Sequence, residues 1–256
     1  MAWDPTQYLK FDEPRLRPGL ELIARIPADQ PALIHDLGCG TGALTARLQA
    51  RWPAAQVIGV DSSPEMLARA AADHPNIRWV EADVVDWRPE RPPSILFSNA
   101  TLHWVDDHEM IFPRLLGYLA RGGWLAVQMP GNFDAPSHQL MYETVMEGPW
   151  RKKLAPLIRN RPVLSPDNYY SLLAPVAATV DIWATTYLHV LSGDDPVLEW
   201  VGGSASRPFL GVLTLEERRA FETQFAAKLR KAYLKRSDGK TLFPFRRLFI
   251  MARAHE

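Results

Sequence analysis

Three carboxylates and a run of glycines carry the residue types from which a ligand site can be built. Asp36 stands two residues ahead of Gly38, and Gly38, Gly40 and Gly42 then alternate with Cys39 and Thr41. Glycine has no Cβ, so a turn built from it lets a ligand lie against the backbone. An acid just ahead of such a turn suits a cationic ligand part better than a phosphate. The dinucleotide spacing G-x-G-x-x-G is absent, which argues against a nicotinamide-dependent dehydrogenase. Asp61 follows about 20 residues beyond the turn, where an acid accepts ribose hydroxyls. The alternative for Asp61 is a helix-opening acid favoured by the helix dipole. Asp83 is the third acid, in E-A-D-V-V-D-W.

These residues need elements to hold them at one edge. Residues 32–37 read as an apolar strand ending in the turn, and 43–51 as the helix after it. A second strand over 56–60 ends at Asp61, and Ser63-Pro64-Glu65 opens the next helix with an N-cap, an N1 proline and an early acid. Further strands are expected over 77–81, 94–98 and 124–129, with a helix over about 109–119 between the last two. Strands alternating with helical segments mean βαβ units and a parallel sheet, whose ligands bind at the carboxyl ends of the strands. Beyond residue 130 the rhythm changes. Helical stretches at about 134–173 and 194–238 are expected as cap inserts, S-P-D-N-Y-Y-S-L-L as the last core helix, and 179–190 and 242–252 as two paired edge strands.

Composition narrows the function. The 256 residues hold 29 Lys/Arg and 29 Asp/Glu, and a zero net charge argues against a nucleic-acid partner. The charge is nonetheless divided. Residues 1–150 hold 12 Lys/Arg and 19 Asp/Glu, and residues 151–256 hold 17 and 10. An acidic half fits a cationic cofactor and a basic half an anionic substrate, unless the split is surface scatter. One cysteine, Cys39, rules out a disulfide framework and points to a reducing cytoplasm. No signal peptide is recognised, and no apolar run reaches the ~18 residues of a membrane span. The seven histidines show no metal-ligand spacing. No obligate protein partner is inferred.

The motif D-L-G-C-G-T-G resembles motif I of the class I methyltransferases, which use S-adenosylmethionine (SAM). The resemblance narrows over nearly the whole chain. M-A-W-D-P-T-Q-Y-L-K-F, G-V-D-S-S-P-E-M, S-N-A-T-L-H-W, L-A-V-Q-M-P, D-I-W-A-T-T-Y-L-H and F-P-F-R-R-L-F-I-M-A-R together resemble the trans-aconitate 2-methyltransferases. The fold this implies is α/β: a seven-stranded Rossmann-like class I methyltransferase sheet, strand 7 antiparallel, with an inserted helical cap. Its cofactor would be SAM, leaving as S-adenosylhomocysteine, and its substrate a small tricarboxylate methylated on one carboxylate. The alternatives are another small acceptor, such as another polycarboxylic acid or a quinone-like metabolite, or a SAM-binding module without catalysis.

The resemblance also assigns residues. Gly38, Gly40 and Asp61 would hold the cofactor, and Asp83 with the backbone of Val84 would edge its adenine. Asp36 would bond within the turn or to the methionine ammonium. The aromatic lead, Trp3 and Tyr8, would be a lid over the cofactor or pack on the sheet edge. Asn99, His103 and Trp104, after the fourth strand, would face the transferred methyl and shape the site, unless the two aromatics only pack at the next helix. The attacked carboxylate is already ionised at neutral pH, so no general base and no catalytic dyad is expected. A tricarboxylate calls for arginine forks. The candidates are Arg207, Arg246, Arg247, Arg15 and Arg17, with Tyr187, His138 and Gln128 as neutral donors.

Overall fold

Five parallel strands and one long antiparallel one dominate the computed structural model, which describes residues 12–159, 162–203 and 205–256. In chain order these are α1 (Asp12–Arg25), β1 (Leu33–Leu37), α2 (Ala43–Arg51), β2 (Gln56–Asp61), α3 (Pro64–Asp73), β3 (Arg78–Glu81), β4 (Ile95–Asn99), a 3-10 turn (Leu102–Trp104), α4 (His108–Gly117) and β5 (Trp124–Pro130). Then come α5 (Pro136–Glu147), α6 (Arg151–Leu154), α7 (Pro166–Leu173), β6 (Thr179–Leu191), α8 (Pro196–Gly202), α9 (Arg207–Leu210), α10 (Leu215–Ala232) and β7 (Thr241–Arg253). The sheet order is β3-β2-β1-β4-β5-β7-β6. β1 to β5 pair parallel, and β7 runs antiparallel to β5 with Gln128 opposite Phe249 and Pro130 opposite Arg247. The seven-stranded class I methyltransferase sheet with a reversed last strand is therefore the fold. The switch point lies between β1 and β4, where the strand order reverses and ligands bind in such sheets.

The chain divides into two compact units. One comprises Arg15–Pro130, Pro162–Thr185 and Arg247–Glu256, and it holds the parallel sheet. All five β1 residues are buried, as a strand covered on both faces requires. One face packs Leu37, Leu96, Val127 and Met129 against Phe112, Leu116, Tyr169 and Leu173 of α4 and α7. Leu22, Ile23 and Ile26 at the end of α1 are buried as well. Ser63 caps α3 by accepting the Met66 N–H, as its sequence predicts. The other unit includes Gly131–Arg161 and Thr186–Arg246. Its core joins Met141, Val145, Trp150, Trp200, Phe221, Phe225 and Phe243. Its longest helix, α10, opens on a capping box, with Thr214 and Glu217 each accepting the other's backbone N–H.

Candidate active site

The glycine turn is pinned to the end of β2. The N–H groups of Gly38 and Cys39 both donate to the Val60 carbonyl, at 2.7 and 3.0 Å. Gly38, Gly40 and Gly42 sit at φ of 74°, 55° and 81°, the left-handed region that L side chains avoid. The three are not equivalent. A Cβ on Gly38 would stand 2.5 Å from the Thr101 Cβ, whereas one on Gly40 would meet nothing within 4 Å among the described residues. The backbone face at Gly40 is thus open, and Gly38 is closed by the loop after β4.

Asp61 bridges the turn and the start of α3. Its Oδ2 accepts the Gly40 N–H at 2.8 Å and its Oδ1 the Ser63 N–H at 2.9 Å. Each oxygen keeps a lone-pair site for a further donor. Both readings of Asp61 therefore meet in one residue, because its carboxylate orients the helix entry and still has acceptor capacity. Asp36 is only 2% exposed, and the Thr45 hydroxyl of α2 donates to its Oδ2 at 2.6 Å. Burial pushes its carboxyl up to about 7, the Thr45 hydrogen bond opposes this and the neighbouring Asp61 charge adds to it. A cation arriving at the turn would favour the ionised form. Burial, with the charges of Asp36 and Asp61, also pushes the Cys39 thiol up, so it is no nucleophile.

At the end of β3, Asp83 is exposed and its Oδ1 accepts the Val85 N–H at 2.9 Å. The turn it begins is clamped by a residue that sequence reasoning missed. Arg114 of α4 donates to the Val84 carbonyl at 2.9 Å and to the Val85 carbonyl as well. The backbone of Val84 is thereby held still beside Asp83.

The ends of β4 and β5 lie side by side. Ser98 ties β4 to β1 by donating to the Leu37 carbonyl at 2.8 Å. Ala100 has φ 53°, and its N–H donates to the Gln128 carbonyl at 2.9 Å. His103 is buried, Trp104 is 49% exposed, and their rings lie 4.8 Å apart. Asn99 pairs with Gln128 in the strand register, so both side chains share one sheet face. The Oδ1 of Asn99 and both carboxamide atoms of Gln128 are buried with no hydrogen-bond partner among the described residues. α1 approaches this spot so closely that a Cβ on Gly19 would stand 3.2 Å from the Asn99 side chain. Arg247, buried opposite Pro130, shares the face.

The remaining candidates are dispersed. Arg246 is exposed and Arg207 half-buried at the start of α9. Arg17 bridges Glu21 at 2.8 Å on an exposed helix face. Tyr187 and His138 are buried within the second unit, and burial lowers the His138 imidazole to about 4, leaving it neutral. Asn132, which the sequence did not single out, has both carboxamide atoms buried without a partner. Trp3 and Tyr8 lie outside the described residues. Among the described residues no His/Cys/Asp/Glu group is arranged to hold a metal.

A methyltransferase-domain family model matches residues 34–123. A trans-aconitate 2-methyltransferase of Azoarcus sp. (strain BH72) is 46% identical over 251 residues, 98% of either chain. The chain belongs to the trans-aconitate 2-methyltransferase family. Members from Methylobacterium radiotolerans and Yersinia pestis (strain Pestoides F) are each 44% identical over 98% of both chains. Among solved structures, the YcgJ protein of Bacillus subtilis matches with a TM-score of 0.58 over 94% of this chain and 99% of its own, at 14% identity. Phosphoethanolamine N-methyltransferase 2 of Haemonchus contortus, solved with S-adenosyl-L-methionine, matches with a TM-score of 0.55 over 94% of this chain and 53% of its own, also at 14% identity. These likenesses attest the fold that the family shares. The full-length relatives carry the family assignment.

Proposed function

We propose that this chain transfers the methyl group of SAM to one carboxylate of trans-aconitate, giving the monomethyl ester and S-adenosylhomocysteine. The observation that carries this is the 46% identity to a trans-aconitate 2-methyltransferase across 98% of both chains. The site fits the cofactor. The open backbone face at Gly40 leaves room for a ligand, Asp61 keeps acceptor capacity beside it, and the partnerless Asn99 Oδ1 waits for a donor or an electron-poor group. Gly40, Asp36, Asp61, Asp83, Val84 and Asn99 are the residues proposed to hold it, with Gly38 shaping the turn. When bound, SAM supplies an electrophilic methyl carbon, whose bond to sulfur breaks with the electron pair kept by sulfur as a carboxylate oxygen takes the methyl.

The chain's own residues bind and align rather than move protons. The acceptor is already ionised, so nothing needs to deprotonate it. Asp61, fixed by two backbone N–H groups, holds one orientation without reorganising. His103 and Trp104 shape the wall and help exclude water, and rate comes from proximity and desolvation. Arg247 and Gln128 are the residues proposed to hold the acid, with Arg247 first among the arginines because it is buried on the sheet face that carries Asn99. We infer a cytoplasmic enzyme with a small-molecule substrate. The zero net charge supports this over a nucleic-acid partner. No helix among the described residues is long and apolar enough to cross a membrane. Incubation with methyl-labelled SAM and trans-aconitate, read by product mass, is the test. The labelled monomethyl ester is expected. Retained SAM binding with no labelled acid would overturn the acceptor.

A further inference from the structure

The buried carboxamide of Gln128 is costly as it stands. The residue is 1% exposed, and neither Oε1 nor Nε2 has a hydrogen-bond partner among the described residues. Buried polar groups are nearly always satisfied, and an orphan amide signals a missing partner. Its surroundings say what that partner is. On one side, in register, stands Asn99 with a partnerless Oδ1. On the other stands Phe249, with the Trp183 ring stacked on it at 4.9 Å and 3° between planes. Two residues along β7 from Phe249, on the same face, is the buried Arg247. The row therefore offers a neutral donor beside a cation and next to a stacked aromatic pair that suits a planar unsaturated chain.

We propose that the Gln128 carboxamide receives the carboxylate that is methylated, and that Arg247 holds a carboxylate that is not. This rests on the trans-aconitate reading and assigns its carboxylates to residues. The change of charge during methyl transfer separates the two roles. The attacked carboxylate loses its negative charge as it becomes an ester, whereas the others keep theirs. A guanidinium on the attacked group would bind the starting acid better than the transition state and so raise the barrier. A neutral N–H donor orients the oxygen with a smaller loss of attraction along the reaction. On a spectator carboxylate the guanidinium keeps its full partner throughout.

The test is Gln128→Met beside Arg247→Gln, in the full chain. Four quantities are read: melting temperature, S-adenosylhomocysteine affinity, kcat and KM for trans-aconitate. For Gln128→Met the melting temperature is expected to rise by about 2–6 °C, because an orphan amide is removed. S-adenosylhomocysteine affinity is expected to hold, and kcat/KM to fall roughly 10–100-fold, chiefly in kcat. Arg247→Gln is expected to act chiefly on KM. Unchanged kcat/KM in Gln128→Met would overturn the assignment. So would a lower melting temperature, which marks Gln128 as structural, or a parallel loss of S-adenosylhomocysteine affinity, which marks it as a cofactor ligand. Wild-type enzyme that leaves trans-aconitate unmethylated would overturn the substrate reading itself and this assignment with it.

Discussion

Two glycines in one turn should fail in different ways when each is replaced by alanine. Both lie in the left-handed region, so each substitution carries a backbone penalty of about 1–2 kcal/mol. Gly38→Ala adds a steric term that Gly40→Ala lacks. Its methyl would stand 2.5 Å from the Thr101 Cβ, an atom that no side-chain rotation moves. The loop after β4 must shift, and the Thr101 hydroxyl, whose single proton is shared between the Gly38 and Asn99 carbonyls at 3.1 and 3.3 Å, loses that bond. At about 1 kcal/mol for the bond lost, the total reaches ~2–3 kcal/mol. Gly40→Ala should cost only the backbone penalty, because none of the described residues lies within 4 Å of its new methyl. That methyl instead occupies the open face, so SAM affinity should fall at least ~10-fold, about 1.4 kcal/mol. Urea denaturation measures the first pair of numbers and calorimetric titration of SAM the second. Equal destabilisation by the two substitutions, or an unchanged SAM affinity in Gly40→Ala, would refute the division of labour inside the turn.

Asp36→Asn should stabilise the protein in a pH-dependent way. A carboxyl raised from 3.8 to about 7 in the folded state favours folding at low pH, and that contribution is lost as pH rises through 7. The gain from Asn should therefore be absent below pH ~4, grow up to pH ~7 and level off at no more than ~4 kcal/mol, which denaturation midpoints at pH 4, 6 and 8 would reveal. A constant difference across that range would show that Asp36 does not carry the strain. Asp61→Ala removes acceptors for the Gly40 and Ser63 N–H groups as well as for the cofactor. SAM affinity should weaken by about 1–3 kcal/mol in calorimetry, and undiminished affinity would remove Asp61 from the site.

Much of the scaffold was legible because its signals are local. The apolar run of β1, the alternating glycines, and Ser63-Pro64-Glu65 each specify their element within a few residues. The contacts that tune the site are not local. Thr45 holds Asp36 from the helix beyond the turn, Thr101 closes Gly38 from another strand, and Arg114 clamps Val84 from α4. None of these follows from spacing, because each depends on how separate elements dock. The neighbouring arginines of β7 are an intermediate case. Arg246 and Arg247 are equivalent in composition, yet only Arg247 is buried. The strand's period of two did not settle the distinction: Arg247 shares a face with Phe243 and Phe245, but Arg246 lies between the exposed Pro244 and the buried Leu248 on its own face. The partnerless state of Gln128 required the β4–β5 register, which a single strand's sequence does not carry.

The central claim is that this sheet and its polar row methylate trans-aconitate. The most direct measurement is kcat/KM for methyl transfer from SAM to trans-aconitate, cis-aconitate, citrate and isocitrate under one set of conditions, with ester products identified by mass. Trans-aconitate is expected to be preferred by at least ~10-fold, the worth of one well-placed hydrogen bond or ion pair between related tricarboxylic acids. Equal rates across the four acids, or transfer to none of them by enzyme that binds SAM, would contradict it.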